Sequence, residues 1–431
     1  MKAHPRILHL TRNLPPLVGG MERLNWHMAA ELAKQADVRV IGPRGAAVLK
    51  PASVTLAEAP LKPLFLFLII AFFKTLWTAL RWRPDVILAG SGLTAPLVWL
   101  AGKASGARSA AYLHGLDITV NHGLYRRVWH PVLKRLDCVI VNSTPTQDLA
   151  LAAGVSSNRV NIVHPGVSLP ATPQSAERIE AFKAQHGLHG KKILLSVGRL
   201  TTRKGLREFV QRALPTIVQA EPDTVLVVVG EAPRNSLGAG LQTVESIQAQ
   251  AEQSGVAGHL RFLGVITDAQ VLATVYEAAD VHVFPVRHIP DDPEGFGMVA
   301  IEAAAHGLPT VAFATGGVVD AVREGQSGRL VRPGDYAGLA QAALEVLGDG
   351  LEIWQASSRI FAAQFAWPAQ GRKLARALQC PEPGAEHVAV NPDPYVRCAS
   401  DPATADHPHS GVPTGAERMS PSEATARFPA A

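Results

Sequence analysis

The chain contains little of what builds small disulfide-bonded or metal-bound proteins. Its 431 residues include three cysteines, Cys138, Cys380 and Cys398, which lie far apart and form no CxxC motif. Such an odd, scattered set is neither a disulfide framework nor a zinc site, and it fits a reducing cytosol. The first residues run directly into a strand-like segment at 7–10, so we expect no secretory signal. We therefore predict a cytoplasmic protein.

No uninterrupted apolar run is long enough to cross a bilayer, which takes roughly 20 residues. Residues 64–73 are ten consecutive apolar side chains, and Trp77, Arg81, Trp82 and Arg83 follow them. Two interpretations stay open for this segment. It is either a helix packed against a sheet, or a helix lying on the inner face of the cytoplasmic membrane with Trp and Arg at the headgroups. A transmembrane span is the least favoured interpretation.

Positive charge is concentrated in the first part of the chain. Residues 1–180 contain 20 Lys+Arg and 10 Asp+Glu, whereas residues 181–431 contain 21 and 26. A basic half of this kind indicates an anionic partner. It has no aromatic-studded basic run and no recognisable nucleic-acid-binding module, so we expect no nucleic acid. An anionic membrane surface or a phosphorylated lipid acceptor explains the asymmetry better.

Short apolar runs alternate with helical patterns along most of the chain, which predicts parallel sheets flanked by helices. The pattern restarts near residue 191, after a polar stretch with a predicted short helix at 177–186. We expect an α/β fold of two doubly wound, Rossmann-like domains facing across a cleft, with ligands at the carboxyl ends of the strands. The domains are predicted at 1–170 and 191–365, with a linker at 171–190. The predicted strands are 6–10, 37–41, 85–89, 108–113, 137–141, 160–163, 193–198, 224–230, 259–263, 281–284 and 310–313.

The segment at 293–302 carries the most specific functional signal. Glu294 and Glu302 lie eight positions apart, on either side of a Gly-Phe-Gly turn that opens onto a predicted helix. Backbone N–H groups at such a positive helix end suit hydroxyl or phosphate oxygens. One carboxylate can face one part of a ligand while the other faces a second part, which suits a nucleotide sugar. The turn and the helix start comprise Gly295, Phe296, Gly297, Met298 and Val299.

This segment resembles the E-x7-E signature of family 4 of the retaining glycosyltransferases, which have the GT-B fold. The similarity continues through 302–311, 315–317 and 325–331. Within the family it is greatest to bacterial mannosyltransferases that act on phosphatidylinositol or lipid-linked glycans. The resemblance implies that Glu302 binds the ribose hydroxyls of a nucleotide-sugar donor and that Glu294 lies near the transferred sugar.

The resemblance covers about residues 5–379. It implies that a carboxy-terminal helix at 366–379 crosses back onto the first domain. Beyond it, residues 381–431 are rich in Pro, Ala, Ser, Thr and Glu and have few clustered apolar residues. We predict that this tail is disordered and takes no part in catalysis.

A second motif follows the predicted strand at 193–198. Arg199 in the loop and Lys204 at the next helix start can clamp a diphosphate. The resemblance implies that this pair neutralises the departing nucleoside diphosphate, in place of a metal ion. Arg203 is expected to face solvent. No other acidic or histidine cluster supports a metal site at the adjacent acids at 291–292, so we predict neither a metal nor a cofactor.

Three further segments resemble ligand-binding loops of the family. Gly19 and Gly20 follow the first strand, where the missing side chains let the backbone approach a ligand. The resemblance places this loop opposite the diphosphate of the donor. It also implies that His114, at the end of a strand in the first half, contacts the transferred sugar or the acceptor. Gly264 and Val265 resemble the loop whose backbone meets the nucleobase.

These motifs predict a metal-independent, retaining glycosyltransferase. It would move a hexose from a nucleotide diphosphate sugar onto a hydroxyl of a lipid-linked or glycan acceptor. The resemblance favours GDP-mannose as donor, with UDP-glucose or UDP-N-acetylglucosamine next. The catalytic candidates are Glu294, His114, Arg199 and Lys204.

Several alternatives remain at this point. The configuration could be retained by a front-side displacement or, as the minority view, by a covalent intermediate on Glu294. A nucleotide-sugar epimerase of the same fold would bind the donor without transferring its sugar. A catalytically inactive protein that binds sugar nucleotides is the non-enzyme alternative. An NAD-dependent dehydrogenase is the least favoured, because no G-x-G-x-x-G follows a strand.

Overall fold

The computed structural model describes residues 4–120, 122–232 and 240–379. Within them the chain forms two parallel sheets flanked by helices, which confirms the predicted fold class of two doubly wound domains. The predictions for Cys380, Cys398 and residues 381–431 lie outside the described residues.

The first sheet has seven strands, all pairing in parallel. The strands are β1 (Arg6–Leu10), β2 (Asp37–Pro43), β3 (Thr55–Ala59), β4 (Val86–Ala89), β5 (Arg108–Leu113), β6 (Cys138–Val141) and β7 (Val160–Ile162), in the order β3-β2-β1-β4-β5-β6-β7. The helices are α1 (Gly20–Leu32), α2 (Leu64–Trp82), α3 (Ala95–Ser105), α4 (Leu116–Thr119), α5 (Gly123–Leu133) and α6 (Thr144–Ala152). Helices cover both faces, so β4 and β6 are buried at every residue and read as continuous apolar runs.

The second sheet has six strands and is also parallel throughout. Its strands are β8 (Lys192–Val197), β9 (Thr224–Val229), β10 (Leu260–Gly264), β11 (Val281–Phe284), β12 (Thr310–Phe313) and β13 (Gly328–Val331), in the order β10-β9-β8-β11-β12-β13. The helices are α7 (Ala176–His186), α8 (Leu206–Arg212), α9 (Leu214–Ala220), α10 (Val244–Gln253), α11 (Ala269–Ala278), α12 (Met298–Ala305), α13 (Val318–Ala321), α14 (Tyr336–Asp349), α15 (Leu351–Ala363) and α16 (Trp367–Ala377). We call the elements around the first sheet, together with α16, the first domain, and the remaining elements around the second sheet the second domain.

Each predicted strand is present within one or two residues of its expected bounds, but β3 and β13 were not predicted. Both unpredicted strands lie at a sheet edge. An edge strand is covered less completely than a central one, so polar residues interrupt its apolar pattern. In β3 only the last of five residues is buried, and β13 carries Arg329 in a run of four.

The carboxy-terminal helix α16 packs on α1 of the first domain. Trp367 and Leu374 share an apolar cluster with Leu24 and Met28 of α1. The crossing is anchored by a parallel bridge between Val167 and Ala366. At Gly166, beside that bridge, an added Cβ would lie 2.1 Å from the ring of Trp367, so only glycine fits. The helix predicted at 177–186 is α7, and its Phe182 packs in the core of the second domain.

Helix α2 contains the apolar run at 64–73 and extends it to 19 residues. By length and composition this helix could cross a membrane, and 22% of its apolar window is buried in the protein. One face packs inward through Phe67, Ala71, Thr75, Ala79 and Trp82. The opposite face exposes Phe65, Ile69, Phe73, Trp77 and Leu80. The helix is therefore packed against the sheet and also presents an apolar face outward.

Candidate active site

The loop before α12 is shaped by glycines that tolerate close backbone contact. Gly297 has a φ of 93°, in the left-handed region that favours glycine. An added Cβ at Gly317 would lie 2.1 Å from the carbonyl oxygen of Gly295. The N–H of Gly317 donates to the carbonyl of Glu294 at 2.9 Å, which holds the loop in place. The motif at 315–317 thus supports the motif at 293–302 directly.

The backbone N–H groups of Gly295, Phe296 and Gly297 have no acceptor among the described residues. They precede α12, whose amino-terminal end carries a partial positive charge. Phe296 is itself buried. This arrangement can receive anionic or hydroxyl oxygens, as the sequence predicted for these residues.

Glu294 lies between two cations. Lys204 Nζ is 2.9 Å and Arg203 Nε is 3.2 Å from Glu294 Oε2. Burial alone would raise the pKa of Glu294, but the charges of Lys204 and Arg203 and the hydrogen bond from Lys204 outweigh it and lower the pKa to about 2. Burial also lowers the pKa of Lys204, and the carboxylate of Glu294 opposes that shift. Glu294 is therefore an ionised group whose lone pairs are engaged by cations.

Arg203 does not face solvent, and that expectation was wrong. Its side chain is 15% exposed, and NH1 donates to Asp292 at 2.5 Å and to the carbonyl of Pro293 at 3.2 Å. The cause is a single 3₁₀ turn at Thr202–Lys204, which carries Arg203 and Lys204 toward the same loop. Asp292 is thereby neutralised by an arginine. Within the described ranges, no three His, Cys, Asp or Glu side chains lie close enough together to hold a metal ion.

Arg199 follows β8 and is exposed. It lines a small hollow together with Gly198, Lys204 and Phe284, whose ring lies 4.5 Å from Lys204 Nζ. No described residue forms an ion pair or hydrogen bond with the Arg199 side chain. Its guanidinium can therefore bind an incoming phosphate without first leaving a protein partner.

Glu302 lies in the second turn of α12 and has two partners that the sequence did not reveal. The hydroxyl of Tyr276, from α11, donates to Glu302 Oε2 at 3.2 Å. Arg23, from the first turn of α1, forms an ion pair with Oε1 of the same carboxylate. Arg23 belongs to the first domain, so this contact crosses the cleft. No local sequence pattern links residues 279 positions apart.

The glycine loop and His114 of the first domain lie beside the loop that precedes α12. An added Cβ at Gly20 would lie 3.2 Å from Met298 Sδ, at the start of α12. An added Cβ at Gly295 would lie 2.6 Å from the carbonyl oxygen of His114. His114 Nε2 is 3.1 Å from the carbonyl of Gly90 and therefore donates to it, which leaves Nδ1 as an acceptor in the neutral ring.

The predicted nucleobase loop lies at the carboxyl ends of β9 and β10. Gly264 has a φ of 66°, and the Val265 side chain after it is exposed. The N–H of Gly230 donates to the carbonyl of Gly264 at 2.8 Å. An added Cβ at Gly230 would lie 2.0 Å from the carbonyl oxygen of Gly198, so three strand ends meet with no side chain between them. Gly230 was not among the predicted site residues, although its place after an apolar strand is a signal that could have identified it.

A second interdomain contact lies beside the site. His164, after β7, is 3.1 Å from Oδ2 of Asp320 on α13, and its ring stacks on Phe296 at 5.4 Å. The N–H of Thr144 also donates to Asp320. The pKa of Asp320 is lowered, because these partners outweigh the effect of burial. The buried loop residue Phe296 is thus held from both domains.

Two family models match the chain. The model described as Glycosyltransferase Family 4 matches residues 18–170, and the model described as Glycosyl transferases group 1 matches residues 191–349. The two matches correspond to the two domains of the fold. The fold and the two matching models therefore define a two-domain glycosyltransferase. More particularly, the chain belongs to the GT-B glycosyltransferases of family 4, and it uses a nucleotide sugar.

The chain is similar over most of its length to the GDP-mannose-dependent alpha-(1-6)-phosphatidylinositol monomannoside mannosyltransferase of Mycolicibacterium smegmatis. The two are 26% identical over 388 residues, which is 86% of this chain and 98% of that protein. A D-inositol 3-phosphate glycosyltransferase of Corynebacterium jeikeium is 34% identical over 248 residues, which is 56% of this chain and 57% of that protein. A solved structure of Anabaena HepE in complex with UDP has a TM-score of 0.72 at 22% identity, covering 87% of this chain and 99% of that chain.

Proposed function

We propose that this glycosyltransferase moves a hexose, with retention of configuration and without a metal ion, onto a hydroxyl of a lipid-linked or glycan acceptor. The main observation that supports the proposal is the environment of the Glu294 side chain. The carboxylate is ionised between Lys204 and Arg203, beside three backbone amides that have no described acceptor. Arg199, which has no ion-pair partner among the described residues, adds a further positive group at this end of the cleft.

These groups suit the departure of a nucleoside diphosphate. When the bond between the sugar and the diphosphate breaks, negative charge develops on the phosphate oxygens. Lys204 is held by Glu294, and the amides of 295–297 belong to a loop fixed by Gly317, so these groups are oriented to stabilise that charge and the exposed Arg199 can add to them. Such preorganised groups do the work that a divalent ion does at other phosphate sites.

A front-side displacement fits the site better than a covalent intermediate. In the front-side reaction the acceptor hydroxyl attacks the anomeric carbon, the bond to the diphosphate breaks, and a phosphate oxygen takes the hydroxyl proton. A nucleophilic Glu294 would have to give up the hydrogen bond from Lys204, and its pKa of about 2 makes it a weak base. We therefore assign Glu294 to sugar binding and electrostatic support. His114, across the cleft, is assigned to the sugar or the acceptor.

A slow donor that carries fluorine at the sugar 2-position distinguishes the two mechanisms. We expect intact-protein mass spectrometry to show no sugar bound covalently to the wild-type protein, with the E294Q variant as the reference. A stable mass increase on the wild type that maps to Glu294 would establish the covalent mechanism instead.

GDP-mannose is our first choice of donor and UDP-glucose the second. The Mycolicibacterium smegmatis relative is named as GDP-mannose-dependent, whereas the Anabaena structure contains UDP. Thermal-shift screening of the full chain against GDP, UDP, ADP and their sugars identifies the base. Product analysis with the labelled donor then tests the reaction. If the product is an epimerised nucleotide sugar, the protein is not a transferase. If the donor binds but no acceptor is glycosylated, transfer is likewise overturned as the function.

We also propose that the outward face of α2 rests on an anionic membrane surface, where a lipid-linked acceptor would lie. The exposed stripe runs along the helix from Phe65 to Leu80. Basic residues border it, and the guanidinium of Arg81 lies 5.2 Å from the Trp77 ring. An apolar stripe beside basic residues and tryptophan is the usual composition of a helix at the membrane interface.

Co-sedimentation with vesicles tests this contact. Phe73 and Trp77 on α2 are each 62% exposed, and Ile353 and Ile360 on α15 are 67% and 64% exposed, so the second pair is a matched control. We expect the F73S/W77S variant to lose binding to vesicles of phosphatidylglycerol and phosphatidylcholine, and the I353S/I360S variant to keep it. Equal binding by both variants would overturn the α2 contact.

A further inference from the structure

The ion pair between Arg23 and Glu302 joins a residue with no assigned role to the carboxylate predicted to bind ribose. Arg23 lies in the first domain and Glu302 in the second. The charge of Glu302 raises the pKa of Arg23, which is otherwise lowered by burial. The pair therefore holds the two sides of the cleft together at the donor site.

The location of Arg23 is unfavourable for a cation unless it has a partner. It is the fourth residue of α1, and its N–H still bonds to the carbonyl of Gly19 before the helix. The first turn of a helix carries a partial positive charge, which repels a guanidinium. Glu302 is the carboxylate that compensates Arg23, so the tertiary contact stabilises a residue that its own helix does not favour.

Both oxygens of Glu302 are engaged in this arrangement. Oε1 pairs with Arg23, and Oε2 accepts from Tyr276 at 3.2 Å. A ribose diol that binds Glu302 needs carboxylate oxygens as acceptors for its hydroxyl groups. Each oxygen has two lone pairs, so Arg23 and Tyr276 each occupy an acceptor position that the ribose hydroxyls could use if Glu302 binds ribose, as the proposed function requires.

Arg23 is the partner that can move. The Tyr276 side chain is buried, and its ring stacks on His306 at 5.4 Å with the two planes 6° from parallel. The Arg23 side chain is 55% exposed. A half-exposed guanidinium regains water when it leaves its partner, whereas a buried hydroxyl would be left without one.

We propose that Arg23 is a positioning residue for the donor: it pairs with Glu302 across the cleft and yields that carboxylate to the ribose of the nucleotide. This inference rests on the proposed function of Glu302. The inference adds to the proposed function a residue of the first domain that competes with the donor for Glu302. The ion pair therefore lowers nucleotide affinity and favours release of the nucleoside diphosphate after transfer.

The first test measures dissociation constants of GDP and UDP by calorimetry with the full chain. We expect R23A to bind the preferred nucleotide about fivefold more tightly, because an exposed ion pair contributes up to about 1 kcal/mol. R23K keeps the charge and should restore most of the wild-type value. R127A is the matched control, since Arg127 is an exposed arginine of the same domain that forms no ion pair or hydrogen bond with the described residues of the second domain. In the E302A background, the R23A change should have no further effect, as a double-mutant cycle requires for a direct pair.

The second test needs no ligand. Small-angle scattering of the empty protein should give a larger radius of gyration for R23A than for the wild type or R127A. If R23A binds nucleotide as the wild type does, or more weakly, Arg23 does not compete with ribose and the inference is overturned while the proposed function stands. If the wild type binds no nucleotide at all, the proposed function fails. In that case, a radius of gyration of R23A equal to that of the wild type would also overturn the interdomain contact. A larger radius for R23A would support the interdomain contact but not the competition with ribose.

Discussion

Lys204 Nζ lies 2.9 Å from Glu294 Oε2, so the cation predicted for the diphosphate and the carboxylate predicted for the sugar are direct partners. The structure brings these two groups together from positions 90 residues apart. Each keeps the other charged in a buried place, because a lone ammonium or a lone carboxylate there would be strongly disfavoured. Both groups of the proposed donor site are therefore charged in the folded chain.

The K204A variant should lose most of its activity. Removing a preorganised cation from a site of developing negative charge lowers kcat by about 10² to 10³. Steady-state transfer assays with the preferred donor measure the effect. K191A serves as control, because Lys191 pairs with Asp223 at the far end of β8. A K204A enzyme with wild-type kcat would contradict the assignment of Lys204 to the leaving group.

Glu294 should influence stability in a pH-dependent way. Its pKa is about 2 in the folded protein, against an ordinary value of 4.5. Because the folded state binds this proton less readily, the stabilising contribution is present above pH 4.5 and is lost as the pH falls from there toward 2. We expect the E294Q variant, which leaves Lys204 and Arg203 without their shared counter-ion, to unfold at a lower temperature than the wild type at neutral pH.

Calorimetry of both proteins tests the sign of that effect. The difference in Tm between wild type and E294Q should be constant from pH 7 to about 5.5 and should shrink on further acidification. A difference that widens as the pH falls would show that the carboxyl is not ionised between the two cations.

The Tyr276 hydroxyl should contribute to donor binding. In Y276F, Glu302 loses the buried hydroxyl that orients its carboxylate toward the donor, and one hydrogen bond of this kind is worth about 1 kcal/mol. We expect the KM for the donor to rise about fivefold with little change in kcat. Y336F removes a hydroxyl from a buried tyrosine of α14 and is the control. A fall in kcat with an unchanged KM would assign Tyr276 to the chemical step instead.

Gly317 should tolerate no side chain. In G317A, the new Cβ would lie 2.1 Å from the carbonyl of Gly295, so the loop before α12 must shift. We expect lost transfer activity and a free energy of unfolding lower by roughly 2 kcal/mol or more. G348A places the same methyl group on helix α14, where no atom lies within 4 Å, and should be neutral or stabilising. Thermal unfolding of both variants measures the contrast, and equal stability would contradict the close backbone contact.

The sequence predicted much of the fold because its signals are local. Central strands such as β9 are buried on both faces, so their composition is apolar throughout. The E-x7-E segment was also recognisable, because a glycine turn before a helix carries its own backbone geometry. Helix α2 was identified as an apolar segment, but its sequence did not reveal that one face packs against the sheet while the opposite face is exposed.

Amino-acid order alone determined two doubly wound domains and a family 4 donor motif, since period, glycine placement and motif spacing are properties of short stretches. Tertiary structure decided which charges meet. Arg203 turned inward toward Asp292, and Arg23 reached across the cleft to Glu302. Neither ion pair can be predicted from the residues adjacent in sequence. An ion pair depends on distance in space and on burial, which only the folded chain defines.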